Sequence, residues 1–172
     1  MNDCILIIMR HGKSDWSTGS DTDFDRPLTK RGLKAAVAMG IWLKKHKYIP
    51  DRIVSSPALR AKLTAQNVCN QFKKSQKIIW DDRIYDAELD ALLDVIGSHA
   101  KRSNIMLMIG HNPGLNSLLG YLSKDDPERD KKGKLLTTAA IAILKYKKNL
   151  INTDQRSANL IKLLRPKDLD NS

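Results

Sequence analysis

The run Cys4-Ile5-Leu6-Ile7-Ile8-Met9 is continuously apolar, rich in β-branched residues, and stops abruptly at Arg10. A strand that is apolar at every position is buried on both faces, as in the interior of a parallel sheet covered by helices. Ile105 to Ile109 repeats the pattern and stops at Gly110-His111. Two such strands leave few architectures open, and the segments between them narrow the choice.

From Thr29 the residues Leu33, Ala36, Val37, Gly40 and Ile41 recur at the helical interval, which predicts a helix from a Thr29 cap to about Lys47. Arg52 to Ser55 reads as a short strand. Ser56-Pro57 then reads as a cap followed by proline at the first helical position, opening a helix to about Phe72. Lys77 to Trp80 reads as a strand, and Glu88 to Ala100 as a helix through Leu89, Leu92, Leu93 and Ile96. Asn112 to Leu122 opens with Asn and Pro and suits a capped amphipathic helix. Ser123 to Lys134 is a charged loop. Two closing strands, Thr138 to Tyr146 and Asn159 to Leu164, flank the polar connection Lys147 to Ser157. The alternation predicts an α/β fold, a three-layer α/β/α sandwich with a mostly parallel central sheet, in one domain over residues 1–172.

Open sheets of this kind bind ligands at the carboxyl ends of their strands. In this chain those ends carry Arg10-His11-Gly12-Lys13-Ser14, Ser55-Ser56-Pro57 leading to Arg60, and Gly110-His111-Asn112. Two histidines, each beside a glycine, would meet there with Arg10 and Arg60 in a cationic pocket, where two arginines and one protonated histidine match a dianionic phosphoryl group and the other histidine is free to attack. Arginine forks pair with phosphate oxygens, and a neutral imidazole is a competent nucleophile near pH 7, so the pattern points to phosphoryl transfer without a metal or other cofactor. Arg60 stands near a helix start, where a cation is disfavoured unless an anion is to sit there.

The formal charge of +11 admits nucleic acid, an acidic partner or phosphorylated substrates. Lys and Arg are scattered from Lys13 to Lys167, which argues against a nucleic-acid arm and favours a solvated basic surface. Trp16, Trp42 and Trp80 are not interleaved with basic residues and read as packing, with Trp16 also placed to line a pocket entrance. His46 and His99, at helix positions, read as structural. Cys4 and Cys69 lie in apolar segments without metal-type spacing and read as buried thiols. No apolar run approaches the ~20 residues of a spanning helix, and no signal segment precedes Cys4, so a cytoplasmic protein away from the membrane is expected.

Met9-Arg10-His11-Gly12-Lys13-Ser14 resembles the Arg-His-Gly signature of the histidine phosphatase superfamily. Asp25-Arg26-Pro27-Leu28-Thr29, Ser55-Ser56-Pro57 with Arg60-Ala61 and Thr64-Ala65, Gly110-His111-Asn112-Pro113-Gly114 and Leu164-Arg165-Pro166-Lys167-Asp168-Leu169 resemble its short branch, typified by the SixA phosphohistidine phosphatase. The resemblance implies a phosphoglycerate mutase-like fold, His11 as the phosphorylated nucleophile, and Arg10, Arg60 and His111 as phosphoryl ligands. Arg26 and Asn112 would contact the substrate. Asp86 is the candidate proton donor by its position after the third strand, with Glu88 the alternative and water a third source. A phosphohistidine substrate tolerates a weak acid, because its imidazole leaves as a neutral amine after one ring protonation. Three readings follow: hydrolysis of phosphohistidine in a protein, hydrolysis of a small phosphomonoester such as a sugar or nucleotide phosphate, and polyanion binding with a vestigial site.

Overall fold

A computed structural model describes residues 3–17, 19–72, 77–101, 103–147 and 150–171. Strand β1 (Cys4–Arg10) is followed by α1 (Lys30–Lys45), β2 (Arg52–Ser55), α2 (Leu59–Cys69) and β3 (Ile78–Trp80). A 3-10 turn (Asp82–Ile84), α3 (Leu89–His99), β4 (Ile105–Gly110), α4 (Gly114–Leu122), β5 (Ile141–Tyr146) and β6 (Asn159–Leu164) complete the order before a closing 3-10 segment, Pro166–Asn171. One sheet orders its strands β3-β2-β4-β1-β5-β6. The strands from β3 to β1 pair in parallel, and β5 and β6 add antiparallel partners at one side.

The alternation of side chains along β1 divides the interior in two. Cys4, Leu6 and Ile8 join Leu92, Val95 and Ile96 of α3 and Leu115, Leu118 and Leu119 of α4. Ile5, Ile7 and Met9 join Ala36, Met39 and Leu43 of α1 and Ala61, Ala65 and Val68 of α2. The result is the expected helix–sheet–helix layering. The two cysteines are free and buried, one in each core, and burial pushes the Cys69 thiol up to about 12. Among the described residues no helix is long and apolar enough to cross a membrane.

Thr29 caps α1 as expected, its hydroxyl accepting from the Gly32 N–H at 3.0 Å. The buried stripe of α1 is rotated from the predicted one, however. Gly32, Ala36, Met39, Gly40 and Leu43 face inward while Ile41 is 52% exposed. Close approach is the reason: a Cβ on Gly40 would lie 2.8 Å from the Val68 carbonyl oxygen of α2, and one on Gly32 would strike the Lys13 backbone. Two other expectations are corrected. Helix α2 starts at Leu59 with Ala58 at its cap position, and α4 starts at Gly114 with Pro113 there, so neither Ser56 nor Asn112 is the cap residue. Strand β5 begins at Ile141 and not at Thr138, because Ala139 is in the left-handed region (φ 60°) and donates its N–H to the carbonyls of Arg10 and His11.

Candidate active site

Register brings the motif residues together. In the parallel ladder Arg10 pairs with Gly110 and Ser55 with Ile109, so His11, His111 and Ser56 emerge side by side at one sheet edge. The His11 and His111 ring centroids are 5.0 Å apart, and both residues are buried. The His11 N–H donates to the Gly110 carbonyl at 3.1 Å. Gly12 donates to the Thr64 hydroxyl at 3.0 Å, and that hydroxyl donates to the Arg60 carbonyl at 2.7 Å, tying the loop after β1 to α2.

His11 Nδ1 lies 2.6 Å from the Gly12 carbonyl oxygen. A carbonyl can only accept, so Nδ1 carries the proton and Nε2 keeps its lone pair. Burial, resisted by the Gly12 carbonyl and reinforced by the charges of His111, Arg60 and Arg10, pushes the His11 ring down from 6.5 to about 3. His111 is held down at about 4, by burial first and then by Arg60, with Asp23 pulling the other way. Both rings are therefore neutral at physiological pH, which corrects the expectation of one protonated histidine: burial and the neighbouring guanidinium groups disfavour a second cation there.

His111 Nε2 shares a hydrogen bond with the Ser56 hydroxyl at 2.8 Å, and its Nδ1 is buried without a protein partner. Nε of Arg10 and Nε of Arg60 are in the same condition, as is the Asn112 Oδ1. An unsatisfied buried polar group costs about 1–3 kcal/mol, so several around one histidine pair mark a place where a polar ligand offsets a standing penalty. Arg10 Nη1 and Asn112 Nδ2 both donate to the Leu136 carbonyl, at 3.1 Å and 2.9 Å. That oxygen aims them from the connection before β5.

Arg60 and Arg26 meet on a residue that the sequence reading did not single out, Asp23. Its Oδ2 accepts from Arg60 Nη2 at 2.8 Å and from the Tyr85 hydroxyl at 3.1 Å, and its Oδ1 accepts from Arg26 Nη2 at 2.6 Å. Burial opposes the Asp23 charge, but the hydrogen bond from Arg26 and the Arg60 charge outweigh it and hold the carboxyl below its ordinary range. Arg26 also donates to Ser14 at 2.7 Å and stacks on the Trp16 ring at 3.4 Å, which leaves Trp16 74% exposed. The one available hint was an acid in Asp21 to Asp25, three residues before Arg26.

Asp23, Arg60, Tyr85, Asp86, His111 and Asn112 line a cleft of about 370 Å³. Asp86 is exposed there in the left-handed region (φ 49°), whereas Glu88 sits at the cap position of α3 and is absent from the described lining. Tyr85 packs edge-on against His111 at 5.6 Å. His46 and His99 lie elsewhere, stacked on Trp42 at 4.0 Å and bonded to Asp81 at 2.9 Å respectively, as structural residues.

The two neutral rings make stability depend on pH. Unfolded, each imidazole takes a proton near 6.5; folded, they resist it until about 3 and about 4. The unfolded chain therefore binds more protons in that window. The stability is complete above pH 6.5 and is lost as pH falls toward 4, with a slope of up to about 2.7 kcal/mol per pH unit for two such groups. Thermal unfolding in phosphate-free buffer is expected to show the melting temperature dropping steadily from pH 7 to 4.5. A flat profile would contradict the neutral pair.

The profile of the histidine phosphatase superfamily (branch 1) matches residues 6–92, about half of the chain. The phosphohistidine phosphatase SixA of Escherichia coli is 32% identical over 125 residues, covering 68% of this chain and 70% of that protein. An uncharacterized Mycobacterium tuberculosis protein is 26% identical over 157 residues, covering 89% and 96%. Among solved structures, a candidate SixA phosphohistidine phosphatase of Agrobacterium tumefaciens superposes with a TM-score of 0.77 at 26% identity, covering 95% of this chain and 98% of that one. With its paired histidines and arginines at the sheet edge and the family profile matching about half its length, the chain belongs to the histidine phosphatase superfamily, as a phosphatase.

Proposed function

We propose that this phosphatase hydrolyses phosphohistidine in a protein substrate, without a metal, through a phosphorylated His11. The reading rests most on the His11 ring, held neutral with its proton on Nδ1 and its neighbour His111 at 5.0 Å. His11 Nε2 attacks phosphorus, and the bond from phosphorus to the substrate imidazole breaks with its electron pair passing to that ring nitrogen. The departing ring takes one proton from Asp86 or from water. Water then attacks the phosphoryl group on His11, releasing phosphate and restoring the neutral imidazole. The guanidinium groups of Arg10 and Arg60 offset charge on the equatorial oxygens, the part a metal takes in other phosphatases, and Arg26 stands by as a further contact for an anionic substrate. His111 and Asn112 complete the contacts.

Three features favour phosphohistidine over a phosphomonoester. An alkyl phosphate leaves as an alkoxide and needs a positioned acid, whereas in the described cleft lining Asp23 is tied to Arg26 and Arg60 and the other carboxyl, Asp86, is exposed. The cleft is open at the surface. The similar Escherichia coli protein is named for phosphohistidine. Buried free thiols suit the reducing cytoplasm, where we place the protein. The test is a side-by-side assay, with chelator present, of a phosphohistidine-bearing carrier domain against sugar and nucleotide phosphates. Preferential hydrolysis of the carrier is expected. Preference for a small phosphate would move the assignment to that class, and silence on both would leave only polyanion binding.

A further inference from the structure

Arg10 also lines a second concavity, a trough of about 560 Å³ whose described lining is separate from that of the cleft over His111. Stretches far apart in sequence build it. The end of β1, the loop after it and the start of α1 supply Arg10, Lys13 and Arg31, while the turn before β5 supplies Lys131, Lys132 and Lys134. Lys167 arrives from the closing 3-10 segment. The charge that looks scattered in sequence is thus gathered beside a phosphoryl ligand.

Among the described lining residues Asp130 is the one carboxylate, and it is committed elsewhere. Its side chain is 8% exposed and accepts from the backbone N–H groups of Lys132 at 2.9 Å and Lys134 at 2.8 Å, which fixes the turn that presents the lysines. Lys167 approaches it at 3.8 Å. Lys13, Arg31, Lys131, Lys132 and Lys134 have no ion-pair partner among the described residues. Like charges crowded in a concave wall repel one another and focus an attractive field on anions.

We propose that this trough is the docking face for an acidic polypeptide segment flanking the phosphorylated residue of the protein substrate. The proposal rests on the phosphohistidine reading and deepens it. Among the described residues no aromatic or large aliphatic side chain lines the trough, so this lining lacks the apolar walls of a small-molecule site and the stacking platforms of a single-strand nucleic-acid site. Lysines outnumber arginines in it. Compact ammonium groups on flexible stems suit an acidic surface better than the two-point recognition of one fixed phosphate. Through Arg10 the trough adjoins the phosphoryl site, so a chain delivering a phosphohistidine there would lay its neighbouring residues along it. Such contacts act mainly on encounter and weaken as salt rises.

The experiment uses two peptides of identical sequence, phosphorylated on histidine with potassium phosphoramidate, one with glutamates and the other with glutamines around that histidine. Phosphoramidate itself is the small substrate. At low salt the kcat/KM for the glutamate peptide is expected to exceed that for the glutamine peptide by about tenfold or more, and the preference to vanish at high salt. The exposed triple variant K131Q/K132Q/K134Q is expected to lose the preference while kcat for saturating phosphoramidate stays unchanged. Equal kcat/KM for the two peptides, or a preference that survives the triple variant, would overturn the docking face alone. Turnover of phosphoramidate with neither peptide hydrolysed would overturn the phosphohistidine reading and this face with it. Tight, salt-sensitive binding of duplex DNA without any peptide preference would reassign the trough to nucleic acid.

Discussion

Replacing His11 with alanine is expected to lower kcat by at least about 10⁴-fold on any phosphorylated substrate, since removing a covalent nucleophile leaves only binding and charge stabilisation. The substitution takes away a buried imidazole whose Nδ1 donates to Gly12 and whose backbone N–H donates to Gly110. The backbone bond survives the change, as does the Gly12 bond to Thr64. The loop is therefore expected to keep its shape, and the protein its melting temperature at pH 7 to within a few degrees. Steady-state kinetics and thermal unfolding on the same preparation check both parts. Turnover within tenfold of the unsubstituted protein would remove His11 from the mechanism.

Arg60→Ala carries the second large effect, an expected loss of about 10²–10³-fold in kcat/KM, comparable to removing a donor from an oxyanion hole. In the proposed mechanism Arg60 meets the phosphoryl group, and it has a second part. It anchors Asp23 through two bonds, from Nη1 to the carbonyl at 2.6 Å and from Nη2 to the carboxylate at 2.8 Å. Its charge also presses both histidines toward neutrality. Without it Asp23 keeps Arg26 and Tyr85, while the carboxylate stands nearer to uncompensated in the cleft, which further disfavours an anionic substrate. Arg60→Lys keeps the charge but not the planar fork and is expected to fall between the two. The measurement is kcat/KM for all three proteins; values within threefold of one another would contradict this account.

Sequence alone revealed the sheet strands whose burial is complete. Leu6, Ile7, Ile8 and Met9 are fully buried in two cores, and a β-branched apolar run that stops at Arg10 is too short for an ordinary helix. Arg10, His11, Arg60 and His111 were legible because strand ends in such a sheet converge, and the structure brings the two rings to 5.0 Å. What stayed hidden depends on contacts between distant segments. Ser56 looked like a helix cap and instead holds His111, because the chain needs two more residues before α2 begins. Thr64 stood out only as part of a motif, and the fold shows what it does there, its hydroxyl accepting from Gly12. Asp23 stands among other acids, and only the fold shows that Arg26, Arg60 and Tyr85 all reach it. The shifted start of β5 has a similar origin, since Ala139 turns to satisfy carbonyls of the loop that carries His11.

The central claim is that His11 itself carries the phosphoryl group, and the most direct measurement is rapid alkaline quench of the protein during turnover, followed by peptide mass spectrometry. One acid-labile phosphoryl group is expected on the peptide containing His11, appearing before product accumulates and absent from the His11→Ala protein. Full turnover with no label on that peptide, or with the label on His111, would contradict it.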